Sequence, residues 1–185
     1  MKADLRKLLL QKRLKLSNSE ISAISKKIIK KVLGLEEYRL AKTIHCYLSL
    51  DNEISTTLLI DDLLAQGKNL VVPRVVAGTN RLEHVALESR DQLIPNSWGI
   101  PEPRDGRLVQ PGQLDLVIVP MVGGDPECNR LGYGKGFYDQ FLAGVNAIKI
   151  GLMPHCCLVE KLPVEPHDVK LDRIVTESKI YKKNT

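Results

Sequence analysis

Three alternating glycines follow a short apolar segment in the second half of the chain, and together they restrict the local fold more than any other feature. Leu116 to Val119 is apolar and β-branched and stops at Pro120, which predicts a buried strand. Residues 130 to 139 then read Arg-Leu-Gly-Tyr-Gly-Lys-Gly-Phe-Tyr-Asp, and a helix is expected from about Tyr138 to Leu142. A glycine loop that leaves the carboxyl end of a buried strand lies where open α/β sheets bind ligands.

This loop has the composition of a phosphate site. Glycines at 132, 134 and 136 permit positive φ and expose bare backbone, so successive N–H groups can converge on one anion. Arg130 and Lys135 add positive charge, and Asp139 can hold Mg²⁺ against the bound phosphates. The alternative is a plain glycine-rich turn, because a short glycine motif alone is weakly specific. The strand before it and the helix after it favour the phosphate site.

The loop resembles the R-L-G-x-G-x-G-[YF]-Y-D signature of the 5-formyltetrahydrofolate cyclo-ligase family, also called methenyltetrahydrofolate synthetases. Other family segments follow in the same order along nearly the whole chain. They are K-x-x-L-R at Lys2 to Arg6, Y-x-S at Tyr47 to Ser49, E-x-x-T at Glu53 to Thr56, G-K at Gly67 and Lys68, P-R at Pro73 and Arg74, W-G-I-P-E-P at Trp98 to Pro103, the strand proline at Pro120, and H-D-x-x-x-D at His167 to Asp172.

One segment departs from the family pattern. After the strand proline the family usually has an aromatic residue and an acid, and then a glycine before R-L-G. Here residues 122 to 129 read Val-Gly-Gly-Asp-Pro-Glu-Cys-Asn. The departure concerns the approach to the glycine loop and leaves the loop itself intact.

The resemblance implies ATP-driven ring closure of 5-formyltetrahydrofolate to 5,10-methenyltetrahydrofolate, with release of ADP and phosphate. The formyl oxygen attacks the γ-phosphate, N10 adds to the formyl carbon, and phosphate departs. Phosphoryl transfer needs mainly positioning and charge neutralisation, so the resemblance implies catalytic roles for Lys135 and Arg130. It also implies a Mg²⁺ site at Asp139 and Asp168, with Asp172 as an alternative to Asp168.

The resemblance further implies which residues bind the two substrates. ATP is expected to contact Lys2, Ala3, Asp4, Leu5, Arg6, Arg130, Leu131, Gly132, Tyr133, Gly134, Lys135, Gly136, Phe137 and Tyr138. The folate is expected to contact Leu48, Glu53, Trp98, Tyr133, Gly134, Lys135, Gly136 and Phe137. Glu53 can hydrogen-bond the pterin N–H and amino groups or merely favour the start of the next helix. Trp98 can stack on the pterin or anchor its proline-rich loop.

Three other functions stay open from the sequence. A diverged family member could use ATP on a different substrate, since a fold hosts many functions. A sugar-phosphate isomerase would also need a glycine anion site, but with a carboxylate or histidine base beside it and no ATP. The K-x-x-L-R start argues against that reading. A nucleic-acid binder is disfavoured because only 4% of the residues are aromatic and no recognised binding motif occurs.

The positive charge is concentrated at the N-terminus. Residues 1 to 31 contain ten Lys or Arg and two acidic residues, a net charge of +8, so the remainder carries −3 of the total +5. Leu5, Leu8, Leu9 and Leu16 indicate a first amphipathic helix, and Ser17 to Glu20 forms a capping box that opens a second helix with Ile21, Ile24, Ile28 and Val32 inward. Gly34 is expected to end it. Most of the lysines therefore form a solvated helix face, with Lys2 and Arg6 as the exceptions by resemblance.

The rest of the chain predicts an α/β fold. Short β-branched runs alternate with helical stretches and turns, which is typical of a mostly parallel sheet. The expected strands are Thr43 to Leu48, Leu70 to Val72, Leu116 to Val119, Ala147 to Ile150 and Ile174 to Thr176, and the expected helices are Thr56 to Gln66 and Ser89 to Leu93. Residues 94 to 112 are expected to form an irregular loop. We predict one domain over residues 1 to 185, and the resemblance implies a sandwich related to the sugar-phosphate isomerase and CoA-transferase group.

Length and cysteine content agree with a compact enzyme. At 185 residues and 43% hydrophobic the chain can bury a substantial core, and its longest apolar run is far shorter than the roughly 18 residues of a membrane span. The N-terminus does not resemble a secretory signal, so we expect a cytoplasmic location and a monomer without nucleic-acid or membrane partners. The four cysteines have no C-x-x-C spacing and are expected to be reduced thiols, although Cys156 and Cys157 beside His155 could bind a soft metal.

Overall fold

Two basic helices open the chain. A computed structural model describes residues 1–50, 52–96 and 101–184, beginning with α1 (Lys2–Leu14) and α2 (Asn18–Leu33). The predicted capping box is confirmed, because the Glu20 amide donates to the Ser17 hydroxyl and the Glu20 carboxylate accepts from the Ser17 amide. The predicted inner face of α2 is also confirmed, and Gly34 is its C-cap.

The predicted inner stripe of α1 is only partly right. Leu9 is fully buried, but Leu8 is half exposed and Leu16 lies beyond the last helical turn. The inner face of this helix instead continues from Leu9 to Arg13, four residues on and also buried. The predicted stripe did not include Arg13, which is buried because its guanidinium donates to the Met121 carbonyl and the Tyr133 hydroxyl.

Three shorter helices and eleven strands make up the remaining elements of the described residues. The helices are α3 (Glu36–Leu40), α4 (Thr57–Ala65) and α5 (Phe137–Ala143), with single 3₁₀ turns at Arg90–Gln92, Pro111–Gln113 and His155–Cys157. The strands are β1 (Thr43–Cys46), β2 (Asn69–Val75), β3 (Leu82–Ala86), β4 (Leu93–Pro95), β5 (Pro101–Pro103), β6 (Leu116–Pro120), β7 (Gly123–Gly124), β8 (Arg130–Leu131), β9 (Ile148–Leu152), β10 (Arg173–Val175) and β11 (Ile180–Lys182).

Seven strands form the central sheet in the order β11-β10-β9-β6-β1-β2-β3. The five inner strands are parallel, and the two edge strands β3 and β11 pair antiparallel with their neighbours. The predicted mostly parallel α/β sheet is therefore confirmed. The edge strands were not predicted, and residues 94–112, expected to be irregular, contribute the small hairpin of β4 and β5.

Helices cover both faces of the sheet. One face packs on α2, α3 and α4, the other on α5, and every residue of β6 at the centre is buried. Parallel strands require this, because their crossovers leave neither face open to water. A smaller apolar cluster joins α1 to the hairpin of β7 and β8 through Leu9, Val122 and Leu131. It fixes α1 beside the segment that leads into the glycine loop.

The cysteines are free thiols, as predicted. Cys46, Cys128 and Cys157 are buried, and Cys156 is exposed. Burial raises the pKa of Cys128 to about 11, so this thiol stays protonated at neutral pH. Within the described residues no helix is long and apolar enough to cross a membrane.

Candidate active site

A cavity of about 330 Å³ opens at the carboxyl ends of β1, β2 and β6. This is the edge of the sheet at which the parallel strands end, where α/β sheets bind ligands. Its walls come from the segment after β1, the hairpin of β2 and β3, the hairpin of β4 and β5, and the glycine loop. The lining residues are Arg13, Tyr47, Leu48, Leu50, Glu53, Pro73, Val75, Leu82, Pro101, Glu102, Pro120, Arg130, Tyr133, Gly134, Lys135, Gly136, Phe137, Tyr138 and Asp139.

The glycine loop runs from β8 into α5 along one side of this cavity. Gly134 and Gly136 both have positive φ, at 86° and 76°, so the side chain of Lys135 lies between two left-handed glycines. Backbone of this kind can turn successive N–H groups toward one anion. The loop also has little room, since a Cβ on Gly134 would lie 3.0 Å from Arg6 Cζ.

Arg6 holds the loop from the side of α1. Its Nε donates to the carbonyl of Gly132 at 2.7 Å. The contact orients the guanidinium plane against the loop and leaves its terminal N–H groups beside Gly134. The first helix and the glycine loop, 126 residues apart, therefore converge on one place.

Lys2 lies one turn earlier on the same helix and meets two acids. Its Nζ is 2.6 Å from Asp168 Oδ2 and 2.7 Å from Glu165 Oε2. Partial burial alone would raise the pKa of Asp168, but the hydrogen bonds from Lys2 and from the Glu165 amide hold it below its ordinary value. Asp168 is thus an ionised carboxylate at neutral pH. It lies against Lys2 and not in the wall of the cavity.

The other residues predicted on α1 have different surroundings. Ala3 and Asp4 are exposed, and the Asp4 carboxylate pairs with the terminal amine of Met1. Leu5 packs against the cluster around Leu9. Only Lys2 and Arg6 of this segment therefore extend toward the other predicted site residues.

Arg130 and Asp139 form an ion pair at the two ends of the loop. The Arg130 side chain is only 4% exposed, and its second terminal nitrogen donates to the carbonyl of Pro120 at 3.2 Å. Asp139 is in the first turn of α5 and remains partly exposed to the cavity. Arg130 therefore closes the loop at its base and orients the carboxylate of Asp139.

The carboxylate oxygens of Asp139 and Asp168, the two predicted metal ligands, suit a hard cation such as Mg²⁺. Asp168 lies with Glu165 and His167 in the one group of His, Cys, Asp or Glu side chains, among the described residues, close enough to share an ion. The Asp172 carboxylate accepts from the backbone amide of Lys149 at 2.8 Å. This contact ties β9 to the residue that precedes β10. The donor set fits a metal better at Asp168 than at Asp172. The pattern at His155 to Cys157 does not form such a group.

Glu53 lies beyond β1 and faces the glycine loop across the cavity. Its Oε2 accepts from the amide of Leu50 at 2.9 Å, and its Oε1 accepts from the hydroxyl of Tyr133. Leu48 lines the cavity with apolar surface. Trp98 lies outside the described residues.

Arg13 also reaches this cavity, and the sequence did not single it out. It is 5% exposed and donates to the Tyr133 hydroxyl at 2.7 Å and to the Met121 carbonyl at 3.3 Å. Its position, four residues after Leu9 on the inner face of α1, was the available signal. Among the surrounding basic residues it was counted as part of a solvated face.

Tyr138 packs its ring under the loop. Its hydroxyl is buried and has no hydrogen-bond partner within the part of the chain that the structure describes. Burial raises the pKa of this phenol, so the group stays neutral. A buried donor without a partner at the cavity wall is available to a ligand that carries an acceptor.

Comparison with known sequences identifies the family of this chain. The sequence model of the 5-formyltetrahydrofolate cyclo-ligase family matches residues 1–177. A 5-formyltetrahydrofolate cyclo-ligase from Mus musculus is 33% identical over 189 residues, covering 95% of this chain and 93% of the mouse protein. The enzyme of the same name from Escherichia coli K12 is 37% identical over 148 residues, covering 77% of this chain and 81% of the bacterial protein.

Solved structures of synthetases from the same family superpose on this chain. The NMR structure of Aquifex aeolicus 5,10-methenyltetrahydrofolate synthetase superposes with a TM-score of 0.89 at 33% identity, covering 100% of this chain and 93% of that one. A 5,10-methenyltetrahydrofolate synthetase from Mycoplasma pneumoniae superposes with a TM-score of 0.77 at 29% identity. The chain belongs to the 5-formyltetrahydrofolate cyclo-ligase family.

Proposed function

We propose that this chain closes 5-formyltetrahydrofolate to 5,10-methenyltetrahydrofolate and consumes ATP, releasing ADP and phosphate. The observation that carries the proposal is that the glycine loop and Glu53 face each other across one cavity. A nucleotide phosphate on the loop and a pterin on Glu53 would then lie in the same enclosed space. Family membership over residues 1–177 supports the same reaction.

The chemistry explains why ATP is required. Ring closure must expel the formyl oxygen, which leaves poorly as oxide or hydroxide. Attack of that oxygen on the γ-phosphorus forms an O–P bond, breaks the bond to ADP, and gives a phosphorylated iminium. N10 then adds to the formyl carbon and loses its proton, and the C–O bond breaks with inorganic phosphate as the leaving group, which takes up that proton. No protein nucleophile is needed.

The protein's part in this reaction is to position the reactants and to balance charge. Lys135, held between two left-handed glycines, would contact the transferring phosphoryl group. Arg130, buried and paired with Asp139, would keep the loop in its binding conformation and add positive charge. Arg6 would contact phosphate oxygens from the opposite side with the nitrogens that do not bind Gly132.

Mg²⁺ is part of this proposal. Asp139 and Asp168 would hold the ion, which neutralises phosphate charge during transfer. The support is the chemistry of their oxygen donors and the cluster of Asp168 with Glu165 and His167. Lys2, paired with Asp168, would be shared between the ion's ligand and the nucleotide.

The folate site is proposed on the opposite wall. Glu53 would accept from the pterin N–H and amino groups, Leu48 would pack on the ring, and Trp98 would stack on it. Loop residues would contact both substrates, because they line the same cavity as Glu53 and Leu48. We also propose a single domain over the whole chain, a monomer, and a cytoplasmic location.

The test is the rise of methenyltetrahydrofolate absorbance when purified protein meets 5-formyltetrahydrofolate. Parallel reactions omit ATP or Mg²⁺. A rise that requires both supports the reaction and the metal. If no rise occurs but ATP still binds, the loop keeps its role as a nucleotide site, and the acceptor must be a molecule other than this folate.

A further inference from the structure

A chain of two hydrogen bonds links α1 to Glu53 across the cavity. The Arg13 guanidinium donates to the Tyr133 oxygen at 2.7 Å, and the Tyr133 hydroxyl donates to Glu53 Oε1. Tyr133 lies between a buried cation and a carboxylate. The three residues come from a helix, the glycine loop and the segment after β1, so their meeting is a product of the tertiary fold.

The direction of this chain is fixed by the donors available. Arginine can only donate, so the Tyr133 oxygen must accept from it and has its own proton left for Glu53. Partial burial and the charge of Glu53 raise the pKa of Tyr133, so the phenol keeps that proton at neutral pH. The Tyr133 hydroxyl therefore donates to Glu53 Oε1 and fixes the orientation of that carboxylate.

The geometry also leaves Glu53 with two acceptor positions. An ionised carboxylate has about four lone-pair sites on two oxygens. Tyr133 occupies one on Oε1, and the Leu50 amide occupies one on Oε2 at 2.9 Å. Each oxygen keeps a further site, and two adjacent oxygens match two parallel N–H donors. The ring of a pterin carries such a pair in its N–H and amino groups.

Arg13 is held firmly enough to influence Glu53 through Tyr133 without contacting it. Its side chain is 5% exposed, it also donates to the Met121 carbonyl at 3.3 Å, and its guanidinium lies over the Tyr133 ring at 5.5 Å. A buried charge held at two points loses little further freedom when a ligand binds. Its effect on Tyr133 is therefore present before the substrate arrives.

We propose that Arg13 and Tyr133 are positioning residues that hold the Glu53 carboxylate oriented for the N–H donors of the folate ring. The inference rests on the proposed function, and it adds α1 to the folate site as well as to the nucleotide loop. Removal of either residue should weaken folate binding, and removal of Arg13, which is not among the residues proposed to contact ATP, should leave ATP binding unchanged. The chain Arg13 to Tyr133 to Glu53 should behave as one unit.

The experiment measures 5-formyltetrahydrofolate binding by calorimetry without ATP, and KM and kcat for both substrates. Arg13→Leu should weaken folate binding about 10-fold, the size expected for one hydrogen bond to a charged group, with kcat and the KM for ATP nearly unchanged. Tyr133→Phe should weaken folate binding by at least as much, because Tyr133 also lines the cavity. Arg13→Lys should restore part of the loss, because it keeps the charge but not the two-point contact.

Coupling separates positioning from general damage to the fold. The double variant of Arg13→Leu and Tyr133→Phe should bind folate about as weakly as either single variant, since both break one chain. In a Glu53→Gln background, Tyr133→Phe should cause little further loss. Tyr38→Phe is the matched control, because Tyr38 donates to a carboxylate of Asp62 away from the cavity. It should bind folate like the unmodified chain.

The outcomes distinguish this inference from the proposed function. An unmodified chain that neither binds nor cyclises the folate overturns both. If Glu53→Gln weakens folate binding but Tyr133→Phe and Arg13→Leu do not, the reaction stands and the positioning role falls. Should Arg13→Leu fail to fold, Tyr133→Phe alone decides, because it removes one oxygen atom from a side chain that is 39% exposed.

Discussion

The interior of the sheet and the contact between α1 and the glycine loop are built in opposite ways. In the sheet, β6 is apolar and buried at all five positions, and its neighbours pack on helices from both sides. Along α1, three cations extend to three separate points: Lys2 to Asp168 and Glu165, Arg6 to Gly132, and Arg13 to Tyr133 and Met121. We call this second region the α1 seam.

The two regions contribute different things. Apolar burial stabilises by roughly 1.5–3 kcal/mol for each large side chain and has no direction, so it supports the fold without fixing a particular atom. The contacts of the α1 seam are directional, and partly exposed ion pairs contribute about 0–1 kcal/mol each. The seam therefore serves mainly to place groups around the cavity. Changes at the site should alter catalysis, and changes in the interior should alter stability.

The largest effect is expected at Lys135. Lys135→Ala should lower kcat about 100- to 1,000-fold, the range for loss of one preorganised donor to a charged transition state, and leave the fold intact. Steady-state kinetics and a thermal unfolding curve measure the two quantities. Lys27→Ala, on the exposed side of α2, is the matched control and should change neither. Near-normal turnover in the purified Lys135 variant would remove this residue from the mechanism.

Asp125 tests whether the division between polar contacts for catalysis and apolar contacts for stability holds throughout. It lies between β7 and β8, is fully buried, and accepts from the Glu127 and Asn129 amides, the Asn129 side chain and the Leu162 amide, all within 3.0 Å. This is the segment that departs from the family pattern. One carboxylate therefore organises the approach to the glycine loop.

Asp125→Ala should lower the free energy of unfolding by about 3 kcal/mol, because it leaves one buried and three partly buried N–H donors without their acceptor. Urea unfolding measures the loss, and the exposed Asp105→Ala is its control. A loss of this size would show that a polar side chain near the site can be as important to the fold as the sheet interior. A change below about 0.5 kcal/mol, typical of surface substitutions, would contradict the role given to Asp125.

The same division explains what the sequence could predict. Strand β6 was recognisable because its apolar run is local and its burial is complete, and three of the four residues of β1 are also buried. The edge strand β3 was not, since Glu83 and His84 interrupt the apolar pattern and its place depends on pairing with β2. Strand β2 itself extends to Val75, beyond the predicted end at Val72, because this pairing prolongs it.

For the site, the loop could be predicted and the seam could not. The glycines and Lys135 are close in sequence, so their chemistry is visible in one short segment. Arg13 acquires its role only when α1 docks beside Tyr133, 120 residues away. The ion pair of Lys2 with Asp168 spans 166 residues, and no pattern of spacing indicates it. The family resemblance selected Lys2 and Asp168 separately, but only the fold shows that they contact each other.

The smallest effect at neutral pH is expected in the interior, where two histidines break the apolar rule. His45 on β1 is fully buried, and neither ring nitrogen has a partner among the described residues. Its ring faces His84 at 5.1 Å, Phe141 at 4.9 Å and Tyr138 at 6.2 Å between centroids. Burial, with a smaller effect from His84, places the pKa of His45 well below its ordinary value, and burial lowers that of His84.

These shifts make the fold sensitive to acid. The unfolded chain binds protons on both histidines below about pH 6.5, while the folded chain does not until the pH reaches the lower folded pKa. Stability is therefore constant above about pH 6.5 with respect to these groups. It falls by about 1.4 kcal/mol for His45 by pH 5.5, and the lowered pKa of His84 adds a loss of the same sign. The histidines are also linked to the site, because the His45 ring contacts Tyr138 and Phe141, and both belong to the helix that follows the glycine loop.

His45→Leu should remove its share of this dependence. Urea unfolding at pH 7.5 and 5.5 should show a loss of stability that is about 1.4 kcal/mol smaller in the variant than in the unmodified chain. At pH 7.5 the two should differ little, since an apolar side chain replaces a buried group that made no hydrogen bond. His155→Gln, at an exposed position, should keep the full dependence. An equal loss in the His45 variant would mean that His45 takes up its proton in the folded chain, and the interior of the sheet would then be polar enough to hold a charge.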